Sequence, residues 1–178
     1  MGTATGPPQR AIRDQEGNMG LRFKNQQSGE CFFVTTSFKD HQPFANIQGV
    51  YEALAESLIF YSRMYNATIA GYVLMPSHLH LLLFIEGDLL GHFMRDFKKF
   101  IAQKAVSDLG FKPSTLWTPR YDRVVISSEE VLRTKLSYIH NNPVKAALVH
   151  RTQDWRWSSA ADYVEDRQGP VTVWKGWA

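Results

Sequence analysis

Cysteine is nearly absent from this chain of 178 residues: Cys31 stands alone, so no intrachain disulfide forms and a thiolate-rich zinc site is excluded by count. Cys31 sits in an apolar run, where it is expected to pack as a small hydrophobe. Long hydrophobic runs are missing too. None approaches the roughly 20 residues that cross a bilayer, and the N-terminus lacks the apolar centre of a signal peptide. The expectation is a cytoplasmic protein with no membrane partner. A surplus of one charge is also lacking, since 20 Lys and Arg against 17 Asp and Glu leave +3. That balance permits a nucleic-acid partner without requiring one. There is no long internal repeat and no low-complexity tract, so a repeat architecture is not expected.

With 44% hydrophobic residues, the chain is long enough for one sizeable core and short for two. Residues 1–27, rich in Gly, Pro, Gln and Arg without an apolar period, are expected to form a disordered arm, leaving 28–178 as a single domain with a C-terminal tail. Residues 31–38 are dense in β-branched and aromatic types and predict a first strand. From 48 to about 66, Val50, Leu54, Leu58, Tyr61 and Tyr65 recur at helical spacing. Two apolar runs hinged at Met75-Pro76-Ser77 then predict two strands, ending near Ile85. A second helix is expected over about 89–109, with Phe93, Phe97, Phe100 and Ile101 buried and Gly110 as its stop. A fourth strand follows over 121–126. Ser127-Ser128-Glu129-Glu130 fits a capping box and predicts a third helix to about Asn141, ended by Pro143, with a further helical turn over 144–149. The order β, α, β, β, α, β predicts an α+β, ferredoxin-like four-stranded antiparallel sheet with helices on one face and additional C-terminal helical segments.

Chemistry concentrates at two places. His78 and His80 are two apart on a predicted strand, so both imidazoles stand on one face and offer half of a metal site, or else cap polar atoms at a sheet edge. In the third helix, Tyr138 and Asn142 are four apart and share a face if the helix holds to its end. A phenol can attack phosphorus to form a covalent ester, and a carboxamide oxygen can complete the shell of a hard cation held by two imidazoles. Alternatively, Tyr138 is a core aromatic and Asn142 caps the following turn. His140 points around the helix from Tyr138 and is a lesser ligand candidate; His41 lies in a polar loop and reads as surface.

His78-Leu79-His80, after Met75-Pro76-Ser77 and before Leu81-Leu82-Leu83, resembles the His-hydrophobic-His motif of single-tyrosine HUH transposases. The segment from Tyr138-Ile139-His140-Asn141-Asn142-Pro143 to Val149, with the later Asp154-Trp155-Arg156-Trp157-Ser158-Ser159, resembles the branch called REP-associated tyrosine transposases. The likeness runs from about Cys31 to Tyr163. It implies a metal-dependent enzyme that cleaves single-stranded DNA beside a hairpin through a 5′-phosphotyrosine and frees a 3′-hydroxyl. It also implies Tyr138 as nucleophile, His78, His80 and Asn142 as metal ligands, Mg²⁺ or Mn²⁺ as cofactor, and a monomer or homodimer. Related insertion-sequence transposases carry Gln where this chain has Asn142.

Lys98, Lys99, Arg120 and Arg123 are candidates to follow a phosphate backbone, and Trp155, Arg156 and Trp157 to stack on or clamp exposed bases. The two tryptophans can equally close the apolar end of the core. The rival reading is a non-catalytic nucleic-acid-binding module, which expects exposed aromatics on the central strands. A zinc hydrolase with a metal-bound water is a third, and needs another His or carboxylate beside the pair.

Overall fold

The computed structural model describes residues 29–109 and 116–177. The expected arm over 1–27 and the expected stop at Gly110 lie outside the described residues. Four strands form, β1 (Glu30–Ser37), β2 (Thr68–Leu74), β3 (His78–Ile85) and β4 (Asp122–Val125), with α1 (Val50–Met64) between β1 and β2 and α2 (Leu89–Leu109) between β3 and β4. They make one sheet in the order β2-β3-β1-β4, every neighbour antiparallel. This is the ferredoxin-like arrangement that the element order predicts. β3 is central, and His80 lies opposite Thr35 of β1 and Val73 of β2.

Strand alternation divides the core in two. Leu79, Leu81, Leu83 and Ile85 of β3 join Phe32 and Val34 of β1 in a cluster with Leu54 and Leu58 of α1 and Phe93 and Phe97 of α2. Leu82 and Phe84, on the other face, join Cys31, Phe33, Val73 and Ala70 against Leu132, Leu136 and Ile139 of α3 (Glu129–Lys145). Both faces of β3 are thereby covered, which is why its sequence runs apolar without alternating with charge. In α2, Phe100 departs from the expected buried stripe. It sits at the margin of the row made by Phe93, Phe97 and Ile101, is 40% exposed, and meets Tyr61 edge-on at 6.3 Å.

α3 differs from expectation at both ends. Ser128, rather than Ser127, is the N-cap, its hydroxyl accepting from the Val131 amide at 3.2 Å. At the other end, Pro143 does not stop the helix. A proline there removes only the bond to the Ile139 carbonyl, with two helical residues left to run. Side-chain amides reinforce the same turn: Asn141 donates to the Ser137 carbonyl at 2.8 Å and Asn142 to that of Tyr138 at 2.9 Å. The separate turn expected over 144–149 is replaced by a Schellman close, with Ala147 at φ 55°, its amide on Val144 and the Leu148 amide on Pro143.

The tail seals the outer edge of β2. Trp155 Nε1 donates to the Leu74 carbonyl at 3.0 Å, and the Leu74 amide donates to the Trp157 carbonyl at 2.8 Å. The Ser159 and Trp174 amides donate to the Tyr72 and Ile69 carbonyls at 3.0 and 2.8 Å, and the Tyr163 hydroxyl to Ala70 at 2.6 Å. Between these bonds runs the short α4 (Ala160–Val164). An edge strand with its carbonyls and amides so occupied offers no template for another strand.

Lys98 is turned inward, contrary to its expected place on a phosphate-binding surface. Its ammonium reaches the carbonyls of Thr118, Pro119 and Arg120 at 2.6, 3.4 and 3.5 Å and stands 5.8 Å from the centre of the Trp117 ring. Burial lowers its pKa. We expect Lys98→Met to lower stability by about 1–2 kcal/mol through these lost charge-assisted bonds. Exposed Lys99→Gln should stay within about 0.5 kcal/mol, both read from urea midpoints.

α3 approaches β2 over Gly71. A Cβ there would clash with Leu136 Cδ1, closer than packed carbon atoms tolerate. Gly71→Ala is therefore expected to cost about 1–3 kcal/mol in urea unfolding, and less in a Leu136→Ala background where the clashing methyl is gone.

Candidate active site

β3 presents His78 and His80 on the face covered by α3, their ring centres 4.9 Å apart. His80 is buried between strand and helix: its ring stacks on Phe33 at 5.4 Å and its Nδ1 lies 2.8 Å from Thr35 Oγ1, directly across the β1–β3 pairing. α3 then lays Tyr138 over it. The phenol ring stands edge-on 5.3 Å from His80 and 6.0 Å from Phe33, while 41% of Tyr138 remains open to solvent. The two sequence-distant motifs thus meet at one place, with a covered imidazole beneath an accessible phenol.

The imidazoles are held neutral. Burial lowers the His78 pKa, aided by His41, which is exposed as expected of a surface loop residue. Burial brings His80 down to about 3, with further lowering from His78 and Lys135. A neutral imidazole carries one proton, and with that proton on Nδ1 facing Thr35, Nε2 is a bare lone pair. His80 Nε2 is in fact buried without a hydrogen-bond partner among the described residues. Such an orphaned nitrogen fits a divalent cation.

No group of three or more His, Cys, Asp or Glu among the described residues could hold a metal, so the pair would need donors of another type. Asn142 is available one turn beyond Tyr138, with its amide nitrogen engaged and its amide oxygen unpartnered among the described residues. The extra His or carboxylate that a zinc hydrolase requires is not found beside the pair among these residues. Exposed aromatics on the central strands, which a binding sheet requires, are not present among the described residues either: Phe32 and Phe33 of β1 and Phe84 of β3 are buried, as is Tyr72 on the edge strand β2.

His140, on the far side of α3, is buried with Nε2 2.9 Å from Ser159 Oγ, and burial lowers its pKa to about 4. Of the cationic candidates, Lys99, Arg120 and Arg123 are exposed, Lys98 is not free, and Arg156 lies over the Trp157 ring at 4.9 Å. Trp157 is half-buried and stacks on Tyr51 at 5.0 Å, while Trp155 is half-buried against the α3 face of the core. Both rings therefore close the apolar end of the fold.

Sequence reading missed Thr35, whose role depends on a strand register no local pattern encodes, and Ser159, which acts from the tail. It also left Lys135 and Lys145 out of the site. Their spacing from Tyr138, three before and seven after, was the available signal.

No protein-family profile matches this chain, and no curated protein does. Among solved structures, a REP-associated tyrosine transposase bound to a REP hairpin matches with a TM-score of 0.67 and 25% identity, over 88% of this chain and 96% of that one. A candidate transposase from Deinococcus radiodurans matches at 19% identity and a TM-score of 0.49, over 67% of this chain and 95% of that one, too loose a superposition to weigh. By its four-stranded fold and the match along nearly the whole length of the first of these, the chain is similar to a REP-associated tyrosine transposase.

Proposed function

We propose that this protein is a metal-dependent endonuclease and strand transferase of HUH type. It cuts single-stranded DNA beside a hairpin, with Tyr138 as nucleophile, in the compartment that holds the DNA. The observation that carries this reading is the accessible phenol of Tyr138 set 5.3 Å from the ring of His80, which itself stands beside His78. In the first step, Tyr138 Oη forms a bond to the scissile phosphorus as the bond from phosphorus to the 3′-oxygen breaks. The phenol proton passes to water, to which Tyr138 is open, and the departing oxygen takes up a proton to become the free 3′-hydroxyl. The downstream fragment stays on the protein as a 5′-phosphotyrosine.

His78 and His80, with Asn142 as oxygen donor, would hold Mg²⁺ or Mn²⁺, which when bound polarises the phosphate and stabilises the charge of the transition state. The chain's own share is orientation. Phe33 and Thr35 fix the His80 ring, and the packing of α3 fixes the phenol above it.

Phenylalanine keeps the ring of residue 138 and removes the attacking oxygen. Tyr138→Phe should bind hairpin DNA with a single-stranded flank about as well as the parent, yet give no nick and no adduct. The parent, incubated with Mn²⁺ and a 3′-labelled oligonucleotide, should carry label through denaturing electrophoresis, and peptide mapping should place it on Tyr138. Cleavage by Tyr138→Phe at the parental rate would sink the covalent mechanism.

His78→Ala should abolish cleavage and weaken Mn²⁺ binding by about tenfold or more, with the fold intact because His78 lies at the end of β3 and is only half-buried. Calorimetric titration decides this, and equal affinity in variant and parent would remove His78 from the site.

A further inference from the structure

Lys135, Tyr138, Asn142 and Lys145 are spaced by three, four and three along α3, so they form one stripe on the side of the helix that faces the histidines. Aromatic faces hold the two lysines in place. Lys135 Nζ stands 4.7 Å from the centre of the Phe33 ring, and Lys145 Nζ 5.5 Å from that of Tyr138. The two rings are themselves 6.0 Å apart, so both ammonium groups are drawn toward the nucleophile from opposite ends of the stripe.

Neither lysine is paired with a carboxylate or takes part in a hydrogen bond among the described residues. Arg133, on the same helix, is by contrast matched to Glu129 at 2.6 Å. Two cations without a carboxylate partner among the described residues, beside a site of neutral rings, leave a local positive field there. An ammonium is a compact point charge on a flexible stem, which suits a phosphate oxygen whose exact position varies. The Cα atoms of residues ten apart in a helix are separated by about 15 Å along its axis, a span of several nucleotide steps. Side chains leaning inward from both ends shorten that span.

We propose that Lys135 and Lys145 grip the backbone phosphates on the two sides of the one that Tyr138 attacks, so that the single strand lies along α3 with its scissile phosphate centred on the phenol. This rests on the reading of Tyr138 as the nucleophile. It assigns the lysines a task different from that of the exposed cations elsewhere: they set which linkage is cut, by fixing the strand on either side of it.

The test uses the full chain and a set of hairpin oligonucleotides with a single-stranded flank, each carrying one neutral methylphosphonate linkage at a different flank position. Binding is measured by fluorescence anisotropy without divalent metal over a range of salt, and adduct formation with Mn²⁺ is measured separately. Lys135→Gln and Lys145→Gln should each weaken binding to the unmodified flank about tenfold and reduce the slope of log affinity against log salt by about 0.7. Lys135→Arg and Lys145→Arg should keep most of the affinity. Lys104→Gln, a control on α2 whose ammonium pairs with Glu56 at 3.6 Å, should bind like the parent.

One neutral linkage on each side of the cut should weaken the parent yet cost nothing more in the matching glutamine variant, with different positions for the two lysines. The proposal is overturned if the glutamine variants bind like the parent, if they lose affinity equally for every modified flank, or if both lysines map to the same linkage. A parent that forms the Tyr138 adduct without this pattern keeps the nucleophile and loses the clamp. A parent that shows the pattern but forms no adduct keeps the two phosphate contacts and loses the chemistry.

Discussion

Ser159 Oγ accepts from the Tyr72 amide at 3.0 Å, lies 3.3 Å from the Tyr72 carbonyl and 2.9 Å from His140 Nε2, all out of contact with water. One hydroxyl thus joins the edge strand, α3 and the tail. Each of these polar groups, left unmatched in that interior, would cost about 1–3 kcal/mol, so the arrangement admits little drift. His140 sits two residues after Tyr138 and on the other side of the helix, and its tether fixes the rotation of α3. Gly71 sets how close the helix can come, because Leu136 fills the space a Cβ would need. Rotation and distance together decide where the phenol of Tyr138 meets the imidazoles of β3.

The sheet and the shared face of the two histidines were legible because they follow from periodicity, whereas the meeting of Tyr138 with them was implied by the family resemblance. Alternation on β3 puts His78 and His80 on one face whatever the rest of the chain does, and the element order leaves few topologies that bring a third helix over that face. Pro143 misled, since a proline late in a helix removes only one bond and flanking Asn side chains supply compensating ones. Lys98 misled for another reason. Helical spacing places it outside the apolar stripe, but the loop carbonyls that draw it inward come from residues some twenty positions later. The roles of Thr35 and Ser159 were not legible because their partners are fixed by register and by tail docking, which are properties of the folded sheet.

The electrostatic character of the site follows from how it is covered. Burial keeps both histidines uncharged, and the charges that remain belong to lysines standing over aromatic rings at the rim. A neutral floor with a cationic rim presents lone pairs inward and positive field outward. That division suits a hard cation below and a polyanionic strand above without either having to displace a resident ion pair.

The ties that complete this site join distant parts of the chain: Tyr72 meets Ser159 across 87 residues and Val171 across 99. During synthesis the strand bearing His78 and His80, and then the helix bearing Tyr138, leave the ribosome well before the segment that fixes them to one another. Until that last segment docks, β2 has an unpaired edge and α3 lacks its anchor at Ser159. The nascent protein therefore carries Tyr138 and the two histidines before it carries the segment that aligns them, and translation itself delays that alignment until the tail has emerged.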